Sequence, residues 1–185
     1  MMYNDRYLNN SDYLIARKEG KRTTIMKITK ILPLITTLAL MVLIFLFSAQ
    51  SSQESTVISK GIAEPITDAV VAAKHLPKSE KPWLMSTTHH LVRKTAHFTL
   101  YAALGASVLA LLLSMKSDKK KRILLLCSVI FCAVYAVSDE LHQHFVSGRT
   151  PMISDVLLDT LGALCGGLVC LLIFTLCLRI KKHKK

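Results

Sequence analysis

The chain has 185 residues, 51% of them hydrophobic, yet it carries 24 Lys+Arg against 12 Asp+Glu for a formal net charge of +12. Its mean hydropathy is +0.40, which a chain so charged reaches only by gathering its apolar residues into long blocks, as membrane proteins do. The basic residues flank those blocks. They are not interleaved with aromatics, and no helix-turn-helix or RNA-binding signature accompanies them, so nucleic acid is excluded as a partner.

Residues 1–25 are polar and basic and read as a disordered tail. Asn9, Asn10, Ser11 and Asp12 have loop character, and Met26 is a second candidate start. The first apolar block, 31–48, has no charge and is just long enough to span a bilayer. Pro33 stands near its beginning, where proline is tolerated. A cleaved signal peptide is the rival reading, but cleavage after Ala49 would put bulky Phe47 three residues back, a poor fit to a small-residue rule. A retained helix is preferred.

Residues 49–92 are too polar to span. Ile58, Ile62, Ile66 and Val70 recur every four residues with Val57, Ala69 and Ala73 beside them. This apolar stripe predicts a helix lying on the membrane surface, kinked or divided at Pro65. Pro77 and Pro82 break the chain before Trp83, a residue that favours the interface. Three further spans follow at about 91–115, 123–146 and 153–178, and a basic tail closes the chain at 179–185. The spans form one transmembrane domain, 26–178. Its five cysteines, Cys127, Cys132, Cys165, Cys170 and Cys177, all lie in apolar blocks with no C-x-x-C pair, and read as small hydrophobes.

Charge sets an orientation. The N-terminal segment, the 116–122 loop and the tail hold seventeen Lys/Arg and four acidic residues; the other side holds seven and eight. Net charge divides +13 to −1, together the +12 of the chain. The positive-inside rule then puts both termini in the cytoplasm. The expected fold is an all-α, integral membrane four-helix bundle, N-in and C-in, with the polar surface helix between its first two spans.

Ionisable groups in a spanning helix are costly and mark functional sites by default. Here they gather at one side. Arg93, His97 and Tyr101 share a face of the second span, with Lys94 adjacent. Asp139 and His142 or Gln143 share a face of the third, with Glu140 beside them. Asp155, Asp159, Gly162 and Gly166 share a face of the fourth, where the glycines allow close helix approach. These positions predict an outward polar pocket between the last three spans, with Arg149 on its rim. Each residue also has an ordinary reading. Arg93 and Lys94 can snorkel to the interface, and His97 can be structural. His89, His90 and His144 can be plain surface residues. Asp139 and Asp159 can pair with Arg93 or Arg149, and Asp155 can simply suit a helix N-terminus. Their joint occurrence on one side is what singles the pocket out.

At these residues the chain resembles the VanZ-like family. The matching segments are Ser-Ala-Gln-Ser-Ser-Gln at 48–53, Arg-Lys-Thr-Ala-His-Phe at 93–98, Asp-Glu-Leu-His-Gln-His-Phe at 139–145 and Gly-Arg-Thr at 148–150. Asp155 and the glycines at 162, 166 and 167 complete the likeness, which covers roughly residues 26–178. It departs from the family at Leu100, where relatives often have an acidic residue, and at Asp159, where asparagine is common. The resemblance implies a cell-membrane protein that, in some members, lowers sensitivity to teicoplanin-type lipoglycopeptides.

Three functions compete. In the first, preferred, the pocket binds an anionic envelope lipid, a lipid-linked cell-wall precursor or the lipoglycopeptide itself, with Arg93, Lys94 and Arg149 holding phosphate. In the second it is an enzyme on a membrane-embedded substrate, with His97 and Asp139 as an acid/base pair. His142, Glu140, Asp155 and Asp159 could join them around a divalent ion, but the spacing matches no metal motif and no G-x-S-x-G turn is present. No metal ligand is therefore assigned and no cofactor is expected. In the third the ion pairs only hold together a scaffold for other envelope enzymes. A homodimer is compatible with a bundle this small.

Overall fold

Each apolar block propagates as a helix because inside a bilayer only intrahelical bonding satisfies the backbone. The computed structural model describes residues 10–115, 120–146 and 152–183. Its helices are α1 (Asn10–Ser48), α2 (Ser52–Lys74), α3 (Lys81–Ser114), α4 (Lys121–Gln143) and α5 (Ile153–His183), with a 3-10 turn at Lys78–Glu80 before α3. Among the described residues there is no strand. Stretches long and apolar enough to cross a membrane lie in α1 (Ile28–Ser48), α3, α4 and α5. Their outward faces are bare hydrocarbon: Val134, on α4, is 66% exposed and Leu172, on α5, 58%. Such surface is stable only in lipid or against another chain.

The boundaries differ from the sequence reading in instructive ways. α1 starts at Asn10, so the polar stretch before the span is helical in the structure and not a loop. Leu14, Ala16, Arg17, Lys18 and Glu19 are good helix formers, and a stable span downstream spares them the cost of nucleation. α3 begins ten residues earlier than expected. Pro82 does not break the chain; it sits in the first turn of α3, where its missing N–H costs nothing. At 34 residues α3 is about 51 Å long, well over the roughly 30 Å hydrocarbon thickness, so one end projects.

α2 packs antiparallel on that projecting end. Lys81 Nζ meets Asp68 Oδ1 at 2.6 Å, and Ser59 Oγ and His89 Nδ1 lie 2.7 Å apart. A capping box starts α2. The Ser51 hydroxyl accepts from Glu54 N, and Ser51 N–H and Oγ–H donate to Glu54 Oε2. Those bonds hold the Glu54 carboxyl below the usual carboxylate range. Pro65 lies inside α2 without dividing it. The face turned to α3 is the small-residue one, with Ala63 and Thr67 fully buried, while Ile62 and Ile66 of the apolar stripe stay exposed. The side chain of Ile58 lies outside the described residues.

The core is one cluster between α1, α3, α4 and α5: Ile44, Tyr101, Leu104, Val108, Cys132, Ala136 and Ala163. α3 and α5 form its closest pair. A Cβ at Gly162 would lie 2.5 Å from Phe98 O, and one at Gly105 or Gly166 would run into the backbone of Ala163 or Ala102. Backbone-to-backbone contact is thus the packing itself here. Small hydroxyls tie the apolar half: Thr37 and Ser107 share a 2.9 Å bond, and Ser128 Oγ donates to Gly105 O at 2.9 Å. Tyr135 Oη donates to Met41 O at 2.7 Å, joining α4 to α1.

Candidate functional site

The close α3–α5 packing brings the polar turns of α3, α4 and α5 to one end of the bundle, where α1 also finishes. A narrow cleft with a cavity volume of about 20 Å³, partly open, lies between them. Its walls are Arg93, Lys94 and His97 of α3, Glu140 and Gln143 of α4, and Asp155, Leu158 and Asp159 of α5. Seven of these eight are residues singled out from the sequence. Leu158 is the addition, an apolar wall that one-face spacing arguments overlook.

Three sets of contacts organise the cleft. Lys94 Nζ pairs with Asp155 Oδ1 at 2.6 Å, and Ser154 Oγ donates to the same oxygen at 3.2 Å. Asp155 is therefore a partner for a cation as well as a favourable charge in the first turn of α5. Glu140 Oε1 accepts from Met152 N at 2.6 Å, so this carboxylate takes up a free N–H at the start of α5. Asp139, 5% exposed, accepts through Oδ2 from Ser48 Oγ at 2.7 Å and from Gln143 Nε2 at 3.2 Å. Gln143 Nε2 also donates to Ser48 Oγ at 3.0 Å, closing a three-residue ring across α1 and α4.

His97 points at Asp159, with Nδ1 to Oδ2 at 3.8 Å, beyond hydrogen-bonding distance. His97, Asp139 and Asp159 each offer one ligand atom within 4.8 Å of the others, and both aspartates are buried. One turn further along α3, Tyr101 is wholly buried with its hydroxyl unpartnered among the described residues. It lies within electrostatic reach of Asp139 and Asp159 and packs against Tyr135, ring centroids 6.2 Å apart.

Arg93 has no carboxylate within ion-pairing distance among the described residues, unlike Lys94. His142 is not in the cleft. It stacks on Phe45 of α1 at 4.7 Å, with Nε2 buried and unpartnered among the described residues. His89 bonds Ser59 of α2, and His144 packs its ring edge on Phe145. Arg149 and the turn around it lie outside the described residues. Ser48 is a site residue the spacing argument missed. Its signals were a hydroxyl at the last position of the first apolar block and its place in the family-like 48–53 segment, but Ser51 and Ser52 of that segment look the same in sequence.

Fold and site together define a small multi-span membrane protein with a charged cleft between the ends of its helices. The sequence profile of the VanZ/LLP1 family matches residues 33–175, and the chain belongs to that family. Comparison with curated proteins and with solved structures found no match.

Proposed function

We propose that this VanZ-family protein sits in the cell membrane with both termini in the cytoplasm, and that its outward cleft binds the phosphate of an anionic envelope lipid or lipid-linked cell-wall precursor. Masking or repositioning that lipid would lower sensitivity to teicoplanin-type lipoglycopeptides, which themselves engage the membrane.

The observation that carries this reading is Arg93. It lines a cleft bounded by lipid-facing helices, and its guanidinium has no carboxylate partner among the described residues. A guanidinium that is neither neutralised nor fully solvated suits bidentate contact with phosphate. Neighbouring carboxylates are already engaged, Asp155 by Lys94 and Glu140 by Met152 N, which leaves Arg93 as the free charge. Leu158 and the exposed apolar surface below supply the wall along which an acyl or prenyl chain would lie.

Two measurements test it. Purified protein titrated with phosphatidylglycerol or with an undecaprenyl-phosphate-type lipid should bind at least tenfold more tightly than its Arg93→Ala variant, read by native mass spectrometry. In a sensitive Gram-positive host, the intact protein should raise the inhibitory concentration of teicoplanin more than that of vancomycin, and Arg93→Ala at equal membrane abundance should abolish the rise. Equal lipid binding by parent and variant would refute the phosphate assignment.

A further inference from the structure

We propose that His97, Asp139 and Asp159 form a binding site for one divalent transition-metal ion, Zn²⁺ or Mn²⁺ in type. It adjoins the cleft, which His97 and Asp159 line, and is distinct from the phosphate contact at Arg93, on which it does not rest.

Two nearly dry carboxylates face each other here. Asp139 is 5% and Asp159 4% exposed. Burying a carboxylate without a compensating cation is costly enough to rival the net stability of a whole domain. The cations nearby compensate only in part. Lys94 is paired with Asp155, and His97, within ion-pairing reach of Asp159 at 3.8 Å, can bring at most one positive charge to two carboxylates. Separations of that order suit two donors that share an ion about 2.0–2.2 Å from each. The three donor atoms lie within 4.8 Å of one another, a triangle that a bound ion would draw in slightly.

The surroundings have the features of a metal site beyond its ligands. Ser48 Oγ and Gln143 Nε2 both donate to Asp139 Oδ2. Among the described residues no other side-chain donor reaches Asp139, which leaves it lone pairs for an ion. Bonds of this kind fix a ligand's orientation and raise affinity. Independently, Tyr101 is wholly buried, and its unpartnered hydroxyl lies within electrostatic reach of both aspartates. A buried phenol normally has a partner, and water held on an ion at the three ligands would provide one. The donor set, one imidazole nitrogen and two carboxylate oxygens, suits Zn²⁺ or Mn²⁺ better than the all-oxygen sets of Ca²⁺ and Mg²⁺. Sequence spacing hides the site, because each ligand comes from a different helix.

The test uses untagged full-length protein in detergent, stripped with chelator and then titrated with Zn²⁺ or Mn²⁺ alone. About one ion should bind per chain by calorimetry and elemental analysis, and its melting temperature should rise. Asp139→Asn and Asp159→Asn keep the shape and remove a buried charge. In chelator these variants should melt at or above the parent; on adding metal they should gain nothing and bind at least 100-fold more weakly, as should His97→Ala. Trp83→Ala, at an exposed position near the start of α3, should bind the ion like the parent. Absence of stoichiometric binding in the parent, or equal binding by both asparagine variants, would overturn the site. Neither result bears on lipid binding, which is read at Arg93.

Discussion

Ser48 shows how one hydroxyl can organise a site without touching a ligand. It ends α1, donates to Asp139 on α4 and accepts from Gln143 one turn later on that helix. Removing it leaves a buried carboxylate oxygen with one donor instead of two. A hydrogen bond to a charged acceptor contributes about 1.5–3 kcal/mol. Ser48→Ala should lower the melting temperature in detergent accordingly. In the Asp139→Asn background, Ser48→Ala should cost less than it does in the parent, because the amide no longer needs both donors. Strict additivity in that double-mutant cycle would mean that the two residues act independently, against the geometry.

Among helices, the same residue type has opposite consequences depending on what faces it. Gly166 lies where a Cβ would strike the backbone of Ala102, whereas a Cβ at Gly61, on α2, meets nothing within 4 Å. Gly61→Ala should therefore stabilise α2 by about 0.5–1 kcal/mol through helix propensity alone. Gly166→Ala should cost about 1–3 kcal/mol by prising α3 from α5, and would disturb the cleft that depends on their contact. Thermal melting of the two variants side by side checks both signs. The glycines of the fourth span could be read as close-approach positions from sequence, since they share a face with Asp155 and Asp159. Gly105 could not, because a lone glycine in an apolar run carries no partner with it. The length of α3 was hidden for a related reason. Pro82 has the same appearance in a breaker and in a first turn, and only the antiparallel packing of α2 against residues 81–89 decides between them. The α2 stripe was legible as a helix by its period, but period alone does not say which face meets protein. The burial of Ala63 and Thr67 shows that close packing selected the small residues and left Ile62 and Ile66 outside.

At the scale of the whole molecule, hydropathy found the four spans and charge predicts an orientation, while the contacts of the cleft needed coordinates. Both readings rest on long-range averages that survive errors in any one residue; a 3.8 Å approach between His97 and Asp159 does not follow from averages. The orientation has a consequence for everything proposed here, since a cleft that opens to the cytoplasm would meet neither an extracellular drug nor an outer-leaflet lipid. By the positive-inside rule, the +13 to −1 division of charge predicts that the cleft faces outward. With the five native cysteines replaced by serine or alanine, a single cysteine at exposed Trp83 should react with a membrane-impermeant maleimide in intact cells. One at Lys121, at the opposite end of the spans, should react only after the cells are opened. The bias can also be driven backwards. Replacing the basic residues of the 116–122 loop and the 179–185 tail by glutamine leaves seven Lys/Arg on each side, and the labelling pattern should then become mixed. If cysteine at position 83 were labelled only in opened cells in the unaltered charge background, the cleft would face the cytoplasm, and a direct role against extracellular glycopeptides would fall with it.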